Sequence, residues 1–180
     1  MSTESVLAYL MLKVEPPHSP MVAEKILELN ARAAYSAAVW GRWDVVAKVE
    51  ADSADEFLRL VGRLYDETSV VSVDIYFAKM DQCFSNRSEA RGDRFAFVLL
   101  TIEPQQIGAF VEHFESKSAE YPIIFEGCEV RGAHNVILTL SFGSDQELAN
   151  FVMRDIQSAE QEVQESLTVL AIEGMFWRPR

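Results

Sequence analysis

Val39-Trp40-Gly41-Arg42-Trp43-Asp44-Val45-Val46-Ala47-Lys48-Val49 is the stretch on which the reading of this chain turns. Two β-prone runs meet at Gly41, which can supply the positive φ of a tight hairpin turn, and the branched side chains of Val45, Val46 and Val49 suit a pleated surface. The stretch predicts a β-hairpin. It returns 91 residues later as Arg131-Gly132-Ala133-His134-Asn135-Val136-Ile137-Leu138-Thr139-Leu140, with Gly132 in the place of Gly41 and Asn135 in that of Asp44. The helix start that follows recurs too, Ser53-Ala54-Asp55-Glu56 becoming Ser144-Asp145-Gln146-Glu147. In such a capping box the serine hydroxyl accepts from the third helical amide while the glutamate reaches back to the serine amide. The pattern predicts a duplicated chain.

Outward from the hairpin, Val6 to Val14 is apolar on both alternating faces and reads as a strand buried on both sides. Ser19 followed by Pro20 predicts a helix start, and Val22, Ile26, Leu29 and Ala33 place that helix at about 20–32. Phe57, Leu60, Val61 and Leu64 give the second helix its apolar stripe, and Val70 to Lys79 reads as the closing strand. Residues 80–94 are polar and aperiodic and read as a linker. The series then repeats: a strand from Phe95, a helix after Pro104 with Ile107, Phe110, Val111 and Phe114, and a hairpin over 123–142. A helix lined by Leu148, Phe151, Val152 and Ile156 and a last strand within Val163 to Phe176 complete it. The expected fold is α+β, with two ferredoxin-like βαββαβ units, at 1–79 and 95–180, forming a pseudo-dimer with the sheets packed face to face. Apolar residues in both registers of the first strands motivate that packing, since a bare apolar sheet face would be adhesive.

The 180 residues include 11 Phe, 5 Tyr and 3 Trp, ample for a packed core. A net charge of −12 with scattered basic residues repels phosphate backbones and anionic lipid, so neither nucleic acid nor a membrane is an expected partner. Cys83 and Cys128 have no paired spacing, which argues against a disulfide and for a reducing compartment, with cytoplasm the expected location. The Val6 to Leu12 run lacks the flanks and length of an export signal or a membrane span. His18, His113 and His134 show no metal-ligand spacing. There is no phosphate loop and no nucleophile elbow, and Cys83 is given no role, so no cofactor and no catalytic residue is expected.

Leu12-Lys13-Val14-Glu15-Pro16 in the first strand, Trp40 to Asp44 in the hairpin, and Ala51-Asp52-Ser53 before the second helix resemble the effector-binding domain of the leucine-responsive/AsnC family of regulators. The resemblance covers most of the first half and, more weakly, 95–176. It implies ferredoxin-like units, oligomers through sheet faces or edges, and small ligands, often amino acids, bound near the hairpin. Only Gly41 and Asp44 match the family turn directly, with Gly132 and Asn135 as the second copy, where an amide cannot hold an ammonium by charge. No counterpart of the family's DNA-binding domain is expected in this sequence, in which about five residues precede the first strand.

The expected ligand-binding residues are Trp40, Gly41, Arg42, Trp43, Asp44, His134 and Asn135. Asp44 could act as counter-ion to an amine beside an indole face, or it could cap the turn while the tryptophans pack in a core or interface. His134 stands at the repeat position of Trp43, and a surface or interface imidazole is the plainer reading of it. The leading functional expectation is a stand-alone module that binds an amino-acid-like molecule without catalysis. The alternative is a cofactor-independent oxygenase or isomerase of the dimeric α/β-barrel type, its cavity lined by groups such as Tyr9, Tyr76, Trp177 or a histidine. A third reading is an assembly partner of full-length regulators.

Overall fold

The computed structural model describes residues 5–30, 32–86, 92–156 and 163–178. The strands are β1 (Val6–Val14), β2 (Tyr35–Trp40), β3 (Val45–Ala51), β4 (Val70–Ser85), β5 (Arg94–Ile102), β6 (Ile124–Arg131), β7 (Val136–Phe142) and β8 (Val163–Trp177). The helices are α1 (Ser19–Leu29), α2 (Ala54–Glu67), α3 (Ile107–Ser116) and α4 (Asp145–Asn150), the last continuing as one π-helical segment, Phe151–Ile156. Two compact units divide the chain: unit 1 holds Met1–Phe77 with Ala171–Arg180, and unit 2 holds Ala78–Leu170.

In unit 1, β1 lies between β3 and β4, and β2 pairs with the outer side of β3, all antiparallel. Gly41 turns the β2–β3 hairpin at φ 132°, a conformation open to glycine and costly for a residue with a Cβ. Helix α1 starts one residue before Pro20 and has no side-chain cap, so Ser19 is its first residue and not its cap. It ends at Leu29 because Asn30 turns to extended backbone. In α2 the Ser53 hydroxyl accepts from the Glu56 amide (3.2 Å), as the capping pattern predicts. Glu56 accepts from the amide of Asp52 (2.6 Å), one residue earlier than a capping box requires. Both helices press their apolar stripes, Val22, Ala23 and Ile26 with Phe57, Leu60 and Leu64, onto Ala8, Leu10, Leu12, Val45 and Ala47. Each such side chain contributes about 1.5–3 kcal/mol when taken fully out of water.

In unit 2, β5 pairs with β7 and β8, and β6 with β7. Helices α3 and α4 cover Ala96, Val98, Leu100, Leu138 and Leu140 with Phe110, Val111, Phe114 and Leu148. The capping bonds of unit 1 recur, with Glu147 N donating to Ser144 Oγ (3.2 Å) and Gly143 N to Glu147 Oε2 (2.8 Å).

The expectation of two ferredoxin-like sheets laid face to face is overturned, because the eight strands belong to one closed antiparallel barrel in the order β1-β3-β2-β8-β5-β7-β6-β4. The cause is strand length. At 16 and 15 residues, β4 and β8 are about twice as long as β2 and β3, which have 6 and 7. β4 pairs with β1 over its first half and continues into unit 2, while β8 pairs with β5 over its first half and continues into unit 1. β4 thereby runs through Met80 to Ser85, the opening of the expected linker, of which 87–91 lie outside the described residues.

The expected absence of a disulfide is corrected as well. Cys83 and Cys128 stand on neighbouring strands, β4 and β6, and are bonded to each other across 45 residues. Sequence spacing could not reveal this, because the pairing depends on strand order. The inference from cysteine usage to a reducing compartment falls with it. Among the described residues no helix is long and apolar enough to cross a membrane.

Candidate functional site

Side chains alternate between the two faces of a strand, so the unit 1 residues that stay out of the helix-side core share the opposite face. On β1 these include Tyr9 and Met11, interleaved with Ala8, Leu10 and Leu12 of the core. The register sets Lys48 of β3 opposite Tyr9, Tyr35 of β2 opposite Lys48, and Tyr76 of β4 opposite Tyr9 on its other side. Tyr35, Lys48, Tyr9 and Tyr76 therefore form a row across four strands, one residue from each. Cross-strand neighbours stand about 4.5–5.5 Å apart at Cβ, so the row is continuous.

All four are buried, including Lys48, which is only 6% exposed. Its Nζ lies 5.2 Å from the centroid of the Tyr9 ring. A cation over an aromatic face is worth about 0.5–2 kcal/mol, the upper value applying where water is excluded. Phe176 of β8 stacks on Tyr35 with centroids 5.1 Å apart. Burial pushes the Tyr76 phenol above its ordinary range, the Asp74 carboxylate adds to this, and Arg42 opposes it. Tyr76 is thus a proton-bearing phenol at neutral pH.

One row nearer the β2–β3 hairpin stand Ala37, Val46, Met11 and Asp74. Trp43 reaches from the hairpin to that row, its Nε1 donating to Asp74 Oδ2 at 2.8 Å. The Arg42 guanidinium sits 5.2 Å from the centroid of the Trp43 ring. The resulting surface is aromatic and carries three phenols and one ammonium, with the Trp43 indole at its hairpin side. Chemically it suits a planar aromatic molecule that develops negative charge on oxygen, since a charge in a water-poor setting is felt more strongly than in bulk water.

Of the residues expected from sequence, Trp40 is 68% exposed, Gly41 forms the turn, and Arg42 and Trp43 stack as described. Asp44 accepts from the Val14 amide (2.9 Å) and meets Lys13 Nζ at 3.6 Å, so its carboxylate ties the end of β1 to the hairpin. Asn135 does the same work in unit 2, accepting from the Ile102 amide (2.9 Å) and donating to the Ile102 carbonyl (2.6 Å). His134 is buried, in unit 2. Tyr9 and Tyr76, considered for an enzyme cavity, are brought together, whereas Trp177 packs against the helix-side core. Sequence reasoning missed Lys48 and Tyr35. The signal for Lys48 was a lone charge inside the apolar run Val45 to Val49.

Two grooves lie elsewhere. One of about 550 Å3, between α1 and α2, is rimmed by Arg32, Arg59 and Arg63. Arg32 already pairs with Glu50 and Asp52, and Arg63 with Glu67. The other, of about 420 Å3, lies beside α4 and is lined by Tyr121, Phe151 and Asp155 among others. Among the described residues no group of His, Cys, Asp and Glu could hold a metal ion.

No protein-family model matches the chain, and no curated protein matches its sequence. Its fold is shared with solved structures. An anthrone oxidase-like protein aligns with a TM-score of 0.61 at 10% identity, over 99% of this chain and 94% of that one. A provisionally assigned monooxygenase from Lactobacillus acidophilus NCFM gives 0.63 at 7%, over 97% and 96%. The siroheme decarboxylase NirDL gives 0.65 at 7%, over 94% of this chain and 72% of that one. These likenesses correct the resemblance to the leucine-responsive/AsnC effector domain and the regulatory role drawn from it. At such identities they show the fold alone, and that fold is the barrel named in the alternative reading of the sequence.

Proposed function

We propose that this chain is an oxygenase of the dimeric α/β-barrel type that oxidises a small aromatic substrate without a bound cofactor. The observation that carries the reading is the buried row Tyr35, Lys48, Tyr9 and Tyr76. The names of two structures of the same fold, an anthrone oxidase-like protein and a provisionally assigned monooxygenase, support it over a sensing module. In the reaction a ring-activated CH2 group loses a proton to solvent, and the resulting anion spreads its charge onto a ring-bound oxygen. The Lys48 ammonium and the protonated Tyr76 phenol stabilise that oxyanion, while Tyr9, Tyr35 and Phe176 hold the ring plane. The electron-rich anion then reduces dioxygen directly. One O2 oxidises the CH2 to a carbonyl, and the second oxygen atom leaves as water.

Oxygen uptake by the purified chain, with anthrone and a panel of phenolic and enolisable aromatics as probes, tests the reading. The expected result is probe-dependent uptake that Lys48→Met reduces at least about 100-fold, the scale of a positioned acid–base or electrostatic group. Uptake equal in wild type and Lys48→Met, or none with any probe, overturns it.

A further inference from the structure

We infer that Trp43 is the specificity-determining wall of this site and sets how long an aromatic substrate can be along the strand direction. The inference rests on the row Tyr35, Lys48, Tyr9 and Tyr76 being the substrate surface, and adds to it which substrates fit.

Asp74 and Tyr76 are two residues apart on β4 and share a face, and Asp74 stands opposite Met11 as Tyr76 stands opposite Tyr9. Asp74 therefore lies on the substrate face, one row nearer the hairpin. The Trp43 backbone is at the β2–β3 hairpin, yet its Nε1 reaches the Asp74 carboxylate of β4. In the unit 1 order β2-β3-β1-β4, the indole must cross β1 to do so. It lies transverse to the strands and walls off the row at its hairpin side.

The indole is also held still. It is 2% exposed, its single donor is used, and the Arg42 guanidinium stands over its ring. A large aromatic fixed by a hydrogen bond and a cation makes a hard boundary, whereas a loose side chain would yield to a longer ligand. Asp74 and Arg42 act through Trp43, as positioning residues.

The test uses the full chain and three linear carboxylate probes of increasing length: benzoate, 2-naphthoate and 2-anthracenecarboxylate. Dissociation constants come from calorimetry. The Trp40→Phe/Trp177→Phe double variant leaves Trp43 as the only tryptophan, so quenching of its emission reports contact. The expected result is that Trp43→Ala shifts the ratio of anthracene to benzene affinities at least tenfold toward the longer probe, with Trp43→Phe and Asp74→Ala shifting it about threefold. Lys48→Met should weaken all three probes together and leave the ratio unchanged. Should Trp43→Ala fail to fold, Trp43→Phe and Asp74→Ala decide the matter by the same ratio. A ratio within twofold of wild type in every folded Trp43 and Asp74 variant, while Lys48→Met still weakens binding, overturns the wall and leaves the substrate surface standing. Binding that Lys48→Met does not weaken overturns the surface, and the wall with it.

Discussion

The same four positions of the sheet carry opposite chemistry in the two units. Where unit 1 has Tyr35, Lys48, Tyr9 and Tyr76 in register, unit 2 has Glu126, Thr139, Phe97 and Val169. Three phenols and an ammonium in unit 1 correspond to a carboxyl group, one hydroxyl and two side chains with no polar atom in unit 2. The framework beneath does not differ in this way. Asp44 and Asn135 bond the amides of Val14 and Ile102, and Ser53 with Glu56 is matched by Ser144 with Glu147. Backbone ties that cannot be changed without loosening the hairpin recur, while side chains on the helix-free face differ.

Erasing this difference gives the largest effect. The variant Tyr9→Phe/Lys48→Thr gives unit 1 the residues that unit 2 has at those positions. Oxygen uptake with the best probe should fall at least about 100-fold in protein whose circular dichroism shows it to be folded. Lys48 is buried, and a shorter side chain in its place leaves a cavity, so the melting temperature should fall by several degrees in a chain that still folds. Activity that survives would mean that the row in unit 1 is not the reacting surface.

The framework separates the units at single glycines. A Cβ on Gly127 in β6 would stand 2.5 Å from the Phe84 ring and 2.8 Å from Leu138. Gly127→Ala should therefore cost about 1–3 kcal/mol through overpacking. Gly62 in α2 has nothing within 4 Å of such a Cβ. Gly62→Ala should stabilise by about 1 kcal/mol, because alanine orders more cheaply in a helix. Urea denaturation of both variants checks the pair. Equal signs would show that the unit 2 sheet yields at Phe84.

How far the sequence carried follows from these residues. Every helix and strand was legible as an element, because apolar periodicity is local, although the serine expected to cap α1 is its first residue. What failed was whatever depends on pairing. The polar residues Asp81 and Gln82 read as linker although they belong to a strand, since a strand with half-exposed faces loses its alternation. Cys83 and Cys128, or Tyr9 and Tyr76, become neighbours only once strand order and register are known. For the same reason Lys48 was quoted within the hairpin stretch and given no role. Asp44 was singled out as the counter-ion of an amine or a cap of the turn, and its carboxylate accepts from the Val14 amide.

That shared tie gives the next contrast. Asn135→Ala removes both bonds to Ile102, and Asp44→Ala removes one bond to Val14 and a half-exposed ion pair. A buried amide left without its acceptor costs about 1–3 kcal/mol, and an exposed ion pair under about 1 kcal/mol. Asn135→Ala should be the more destabilising in chemical denaturation. The reverse order would assign the greater structural weight to the unit 1 turn.

The smallest effects come from the two caps, and they differ in kind more than in size. Ser53→Ala and Ser144→Ala each remove one bond to a helical amide, worth about 1 kcal/mol. Helix α2 has 14 residues and buries Phe57, Leu60 and Leu64, so it cannot unravel from its first turn without opening the core. Its cap loss should appear as a lower global stability. Helix α4 has six residues, buries Leu148 alone, and passes at once into a π-helical segment. Such a helix can open locally while the rest of unit 2 stays folded. Ser144→Ala should accordingly speed hydrogen exchange at Glu147 and Leu148 about fivefold, the factor that 1 kcal/mol represents, with a smaller shift in the melting midpoint than Ser53→Ala produces. Exchange confined to the first turn in both variants, or in neither, would show that helix length does not decide how a lost cap is felt.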